Sequence, residues 1–253
     1  MDLQKKADQI REDVIRVAVK NKAGHIAPSL SCVDILTALY YDVMKPEDHF
    51  ILSKSHGCYG LYAILADKGL MPKEDWENFN LSGCSERMLD KDGKPIIEAG
   101  CGSLGHGLPI AVGIAWGLKL QGKEGRVYVL MGDGETQEGT TWEATKFAVH
   151  HKLDNLVILV DDNKLQAMDE TDNIVNSNLY GELRTMGASP KTLDGHHCRS
   201  IGHAIKSKIK QYRHTKKPFA FILDTIKGKG LKCAEGKACF HYRLPTEEEL
   251  KLQ

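Results

Sequence analysis

No stretch of this sequence approaches the roughly 20 consecutive apolar residues that cross a bilayer, so a helical membrane span is not expected. The amino-terminal MDLQKKADQIREDVIRVAVKNK is charged and amphipathic. It lacks the apolar core and cleavage site of a secretory signal. Neither charge is in excess, since 34 basic residues balance 34 acidic ones. A basic nucleic-acid face or a polybasic membrane anchor is therefore excluded. Cysteines are present at positions 32, 58, 84, 101, 198, 233 and 239, but no CxxC pair occurs. Such an odd, scattered set fits reduced thiols in a soluble, cytoplasmic protein better than a disulfide framework or a zinc site. Internal repeats, low-complexity tracts and linkers are also missing. The 253 residues, 42% of them hydrophobic, are enough for one well-buried α/β domain spanning residues 1–253.

Periodicity supplies the elements. Ile10, Val14 and Val17 recur on one face of a first helix that runs to about Asn21. After a Gly-His-x-x-Pro loop at 24–28, a second helix is expected from Val33 to Val43, with Ser31 as its N-cap. A short apolar run at 49–53 leads through Ser-His-Gly into a helix over 59–68. Residues 80–98 are polar, glycine-bearing and aperiodic, and read as a long functional loop. From residue 99 a glycine-rich turn feeds a helix dense in small residues. Three continuous apolar runs follow: Val127–Met131, Leu156–Val160 and Phe219–Leu223. Helical stretches, Trp142–His151 and Ile201–Tyr212, separate them. Unalternating β-branched runs interleaved with helices predict a buried parallel sheet flanked by helices on both faces. After Gly230 the chain is irregular until a short acidic helix near Pro245.

Two glycine motifs fail on context. GCGSLG at 100–105 satisfies GxGxxG, but a dinucleotide site needs a strand before it, and Pro95–Glu98 is a poor one. The glycines more naturally let the backbone approach a partner closely. Gly117-x4-Gly122-Lys123 lacks the Ser or Thr of a P-loop. MGDGETQEG at 131–139 is different, because it leaves an apolar strand, turns around Asp133 and enters a helix. In parallel sheets, ligands sit at strand carboxyl ends and at the helix N-termini that follow. The neighbouring run NLVILVDDN ends in Asp161, Asp162 and Asn163. Asp133 and Asn163, 30 positions apart, could thus face one cation from adjacent strand ends. Magnesium takes octahedral oxygen coordination and often bridges phosphates. A lone GDG would read as an ordinary loop; GDG with EGxxWEA and NLxxxxDxN does not.

The segment GDGETQEGTTWEATKFAVHHKLDNLVILVDDNKLQ resembles the thiamine diphosphate fingerprint of the transketolase family. The likeness extends over nearly the whole chain, in family order. GHIAPSLSCVDILTALY, DHFILSKSHGCYGLYAIL, GCGSLGHGLPIAVG, DTIKGKG and CFHYRLPTEEE each resemble a family segment. The resemblance implies thiamine diphosphate and Mg2+, or another divalent cation such as Ca2+ or Mn2+, as cofactors. It implies Asp133, Asn163 and the Leu165 carbonyl as metal ligands. Gly102, Leu104, Gly132, Gly134, Glu135, Asn163, Ile226 and His56 would contact the cofactor. His25, His56 and His241 would be the catalytic histidines, shuttling protons between sugar hydroxyls. Glu138 would couple the site to a neighbouring subunit. His150, His151, His196 and His197 are read as structural.

The pyrimidine-binding domain of a full-length transketolase has no counterpart in these residues. The chain is thus similar to the N-terminal subunit of a split transketolase. Its expected partner is a C-terminal, pyrimidine-binding subunit on a separate chain, in an α2β2 heterotetramer acting on ketose and aldose substrates. Alone it should be inactive. Departures lie on the substrate side: the loop before the GSLG turn has no histidine, His106 stands where glutamine is usual, and Ile26-Ala27 interrupt the first His-Pro. Retained cofactor chemistry is the resulting expectation, with a sugar phosphate as the default ketose and an unusual donor or acceptor, in specialised sugar metabolism, as the alternative. Alternatives are another thiamine diphosphate enzyme, either 2-oxoacid decarboxylating or deoxyxylulose-phosphate synthase-like, and a non-catalytic cofactor-binding partner.

Overall fold

The computed structural model describes residues 1–79, 81–211 and 216–251. Five strands form one wholly parallel sheet: β1 (His49–Leu52), β4 (Val127–Gly132), β5 (Leu156–Asp162), β6 (Ser189–Asp194) and β7 (Phe219–Asp224). Their spatial order is β1-β4-β5-β7-β6. A separate antiparallel hairpin joins β2 (Met88–Leu89) to β3 (Pro95–Ile97).

The apolar runs are continuous because the sheet is buried on both faces. Alternate residues of each strand go to different cores. Phe50, Tyr128, Leu130, Val157, Leu159 and Phe221 join one. Ile51, Val129, Met131, Ile158, Val160 and Ile222 join the other. The first core is closed by α1 (Leu3–Lys20), α2 (Ile26–Leu30), α3 (Val33–Ala38), α4 (Tyr59–Asp67) and the later α10 (Cys198–Gln211). Ile10, Val14 and Val17 are the buried stripe of α1, as their spacing requires. The second core is closed by α6 (Gly107–Leu120), α7 (Gly139–His150) and α9 (Leu179–Met186). Three short helices complete the α-helices of the described residues: α5 (Lys73–Glu77), α8 (Thr171–Ile174) and α11 (Glu247–Lys251). Among the described residues no helix is long and apolar enough to cross a membrane.

Four local expectations change. The Ser31 hydroxyl does not cap a helix; it donates to the buried Asp161 carboxylate at 2.5 Å, and α3 begins after Cys32. The helix expected to run unbroken to Val43 passes into a π-helical turn at Leu39–Val43. Within the polar loop, Pro95–Ile97 is a strand after all, with proline at its first position, where a missing N–H costs least. β6 is an addition to the expected strands, because SPKTLD is a half-exposed edge strand and needs no continuous apolar run. Tyr212, the expected end of the helix now seen as α10, lies outside the described residues.

Candidate active site

The carboxyl ends of β4 and β5 are tied together, since the Asp133 amide donates to the Asp161 carbonyl at 3.2 Å. That bond brings the Asp133 turn beside Asp162 and Asn163. The Asp133 carboxylate, 6% exposed, accepts from the Gly134 amide at 2.8 Å and the Thr171 hydroxyl at 3.2 Å. Burial, then the nearby Asp161 charge, raises its pKa to about 6. Asn163 is also buried, and its side-chain oxygen accepts from the Leu165 amide at 3.2 Å. Lys164 adopts the left-handed conformation (φ 63°), which turns the chain so that Leu165 pairs with Glu170.

Asp133, Gly134, Asn163 and Leu165 border a cavity of about 470 Å³. Every residue predicted for the site lines it except Ile226, whose side chain is 40% exposed. His25, His56 and His241 form a triangle lining the same cavity as Asp133, with ring centroids 5.2–5.4 Å apart. Burial lowers all three imidazole pKa values, His56 well below the ordinary range and His241 to about 3. Neighbouring lysine charge adds to the effect, so the cluster is neutral at physiological pH. His25 sits at φ 58°, where α2 begins, and carries the Tyr242 ring edge-on at 4.8 Å.

Glu135 reaches its neighbours rather than open space. Its carboxylate takes hydrogen bonds from the Ser53 hydroxyl, the Gly105 amide at 2.8 Å and the Gly132 amide at 3.2 Å. It thereby binds the GSLG turn to the GDG turn. Gly105 itself is at φ +80°, and a Cβ there would lie 2.6 Å from Thr140 Oγ1 and 2.7 Å from Glu138 Cβ. Only glycine permits that approach. Glu138 is exposed at the start of α7, while Gly102 and Leu104 present an exposed turn at the cavity rim.

Sequence reasoning missed Lys54, Lys227 and Gln166. Lys54 is 2% exposed and ion-paired with Asp161, and it also donates to the Pro28 carbonyl at 2.9 Å. Burial opposes both charges, but the pairing outweighs it and holds Lys54 protonated and Asp161 ionised. Lys227, equally buried, donates to the carbonyls of Leu165 (3.0 Å) and Gln166 (3.1 Å) and to His241 Nδ1 (2.9 Å). Burial and the Lys54 charge bring its pKa down to about 8. Each lysine stands two or three residues past a strand end, the kind of position that did draw attention to Asp133. The Gln166 Nε2 atom is buried without a hydrogen-bond partner, against Gly134.

Among the described residues, no three or more His, Cys, Asp or Glu side chains are grouped to hold a metal. The candidate set is of another kind: one carboxylate, one amide oxygen and one carbonyl. It suits a hard cation that shares its remaining positions with phosphate oxygens. An unneutralised buried carboxylate, an orphaned amide donor and two buried ammonium groups fit a cation–diphosphate pair.

Sheet and cavity together define a parallel α/β protein with a polar, charge-lined cavity at its strand ends. Comparison then fixes the family. The chain belongs to the family described as "Transketolase, thiamine diphosphate binding domain", which matches residues 3–252. It is 37% identical to an apulose-4-phosphate transketolase subunit from Actinobacillus succinogenes, over 99% of this chain and 94% of that protein. Identity to the 6-deoxy-6-sulfo-D-fructose transketolase subunit of a Clostridium species is 36%, over 99% and 94%. The crystal structure of Campylobacter jejuni transketolase superposes with a TM-score of 0.86 at 28% identity, covering 98% of this chain. The chain spans 41% of the length of that transketolase.

Proposed function

We propose that this chain is the diphosphate- and metal-binding subunit of a split transketolase, moving a two-carbon ketol unit from a ketose to an aldehyde. The observation that carries this reading is one cavity lined both by Asp133, Asn163 and Leu165 and by the clustered His25, His56 and His241, with Lys227 joining the two sets. Asp133, Asn163 and the Leu165 carbonyl hold Mg2+, with Ca2+ or Mn2+ as substitutes. The Lys227 charge and the unpartnered Gln166 Nε2 face the diphosphate, beside Gly134, whose amide is held by Asp133. Thiamine diphosphate, when bound, supplies the carbanion chemistry of carbon–carbon cleavage and formation. The protein's own part is to position, exclude water and move protons. His25 and His56 are neutral, so each can accept a proton from a sugar hydroxyl at one nitrogen and return it, whereas His241, whose Nδ1 takes the Lys227 N–H, presents its Nε2–H as a donor.

A second chain with the pyrimidine-binding domain completes the site in an α2β2 assembly, and exposed Glu138 lies at a contact between subunits. Relatives named as transketolase subunits support this. The sugars in those names, apulose 4-phosphate and 6-deoxy-6-sulfo-D-fructose, favour a specialised ketose over a central one. Loop 81–98, which brings Cys84 rather than a histidine to the cavity, agrees with that. The test is to purify the chain alone and with its co-expressed partner, then assay magnesium-dependent cofactor binding and ketol transfer. Ketol transfer is expected only from the complex. Full activity of the single chain, or pyruvate decarboxylation by the complex, would overturn the reading.

A further inference from the structure

His196 lies outside the cavity, in the turn that follows β6, yet its ring is held at both nitrogens. Nδ1 is 2.9 Å from Asp34 Oδ2. Asp34 is fully buried and also takes hydrogen bonds from the Gln4 amide at 2.8 Å and the Arg11 guanidinium. On the opposite edge of the ring, the Ile226 amide donates to Nε2 at 2.7 Å. A peptide N–H can only donate, so Nε2 carries the lone pair and Nδ1 the proton directed at Asp34. The carboxylate therefore selects the tautomer that can receive Ile226.

Ile226 immediately precedes Lys227. On the far side of that lysine, the Gly228 amide donates to the Ala27 carbonyl at 3.0 Å. Lys227 is thus bracketed by two fixed peptide groups, one anchored on a helix of the first core and the other on an imidazole set by Asp34. We propose that His196 is a positioning residue: the Asp34–His196 pair holds the 226–228 turn so that the Lys227 ammonium stays on the Leu165 and Gln166 carbonyls and His241 Nδ1, where its charge borders the cavity and acts on whatever anion the cavity takes. The part concerning the anion rests on the cofactor reading above. This gives a chemical role to a histidine that its sequence context marks only as part of a turn.

The full-length chain serves for the test, with His196→Phe and His196→Gln variants. A glutamine amide can donate to Asp34 and accept from Ile226 at once, whereas phenylalanine can do neither. Hydrogen–deuterium exchange is followed at 226–228 and, as an internal control, in β4 and β5. Magnesium-dependent thiamine diphosphate binding is measured by calorimetry on the same samples.

Loss of one such hydrogen bond predicts about tenfold faster exchange at 226–228 and about tenfold weaker cofactor binding in His196→Phe. The β4 and β5 rates should stay unchanged, and His196→Gln should recover most of both losses. Wild-type exchange and affinity in His196→Phe would overturn the proposal. So would loosening of β4 and β5 equal to that of the turn, because the histidine would then be only a stabilising group. If His196→Phe does not fold, His196→Ala is read by the same comparison of turn against strands. If the wild-type chain binds no thiamine diphosphate in magnesium, the cofactor reading fails, while the exchange arm still decides whether His196 holds the turn.

Discussion

The Lys227 ammonium lies 2.9 Å from His241 Nδ1 and donates to it, joining the turn after β7 to the irregular segment that carries His241. The two residues are 14 positions apart, and between them the chain folds back so that the Gly236 amide donates to the Lys227 carbonyl at 2.9 Å. A buried cation and a neutral imidazole therefore share one wall of the cavity. After burial, Lys227 is the main reason that the His241 pKa sits at about 3.

Replacing Lys227 by methionine removes that charge while keeping the bulk of the stem. His241 should then titrate closer to the ordinary histidine range, an upward shift visible in NMR titration of the imidazole. Binding of magnesium pyrophosphate should weaken by about tenfold to a hundredfold, the scale of a charge-assisted hydrogen bond. An unmoved His241 titration would show that the contact carries no electrostatic coupling.

Asp133 should behave oppositely in stability and in binding. Its folded pKa of about 6 is above the unfolded carboxylate value, so its ionisation opposes folding as pH rises through that interval. In metal-free protein at about pH 7.5, Asp133→Asn is expected to raise stability by on the order of 2 kcal/mol. The same variant should lose magnesium-dependent cofactor binding by about a hundredfold. Thermal unfolding and calorimetry together check both signs, and a destabilised asparagine variant that still binds would contradict them.

Lys54 is committed to the fold as well as to the cavity. Lys54→Met leaves Asp161 ionised in the interior with only the Ser31 and Thr225 hydroxyls as partners. Breaking such a buried pair costs about 3–5 kcal/mol. Urea unfolding should show that loss, and adding Asp161→Asn should return much of it. Additive losses in the double variant would argue that the two charges are not coupled.

Asp34 couples the stability of the fold to acid. Burial works to raise its pKa, but the His196 hydrogen bond, the Arg11 charge and Gln4 outweigh it, and the folded value lies below the usual one. Its stabilising contribution is therefore complete above the unfolded carboxylate value of about 3.9 and fades as pH falls toward the folded value. Asp34→Asn should be less stable than the parent at about pH 7, by an amount that shrinks below about pH 4. Chemical denaturation across roughly pH 3–7 measures it, and a gap that stays constant over that whole range would rule out the linkage.

Much of the sheet is legible because strands buried on both faces cannot hide their composition. Val127–Met131 and Leu156–Val160 are apolar at every position, and few other structures require that. β6 escapes because an edge strand answers to only one core, so Ser189, Lys191 and Thr192 are tolerated there. The β2–β3 hairpin escapes for a similar reason, being too short and too exposed to show a period. In the site, Asp133 and Asn163 stand out because their chemistry sits at the ends of recognisable strands. Lys54 and Lys227 stand in equivalent places, but a lysine beside a strand end is normally a solvated charge.

The sequence alone determined the parallel α/β sheet, the two strand ends that lie side by side, and the residue types that stand there, Asp133 and Asn163 among them. These follow from local pattern, since periodicity and turn chemistry act over a few residues. Only the tertiary structure decided which charges are buried. Lys54 meets Asp161 across 107 positions, and Lys227 meets the Leu165 carbonyl across 62. His196 stands between Asp34 and Ile226, 162 positions from one and 30 from the other. Burial and pairing over such separations depend on how the layers pack, and that packing turns two ordinary lysines and a turn histidine into parts of one site.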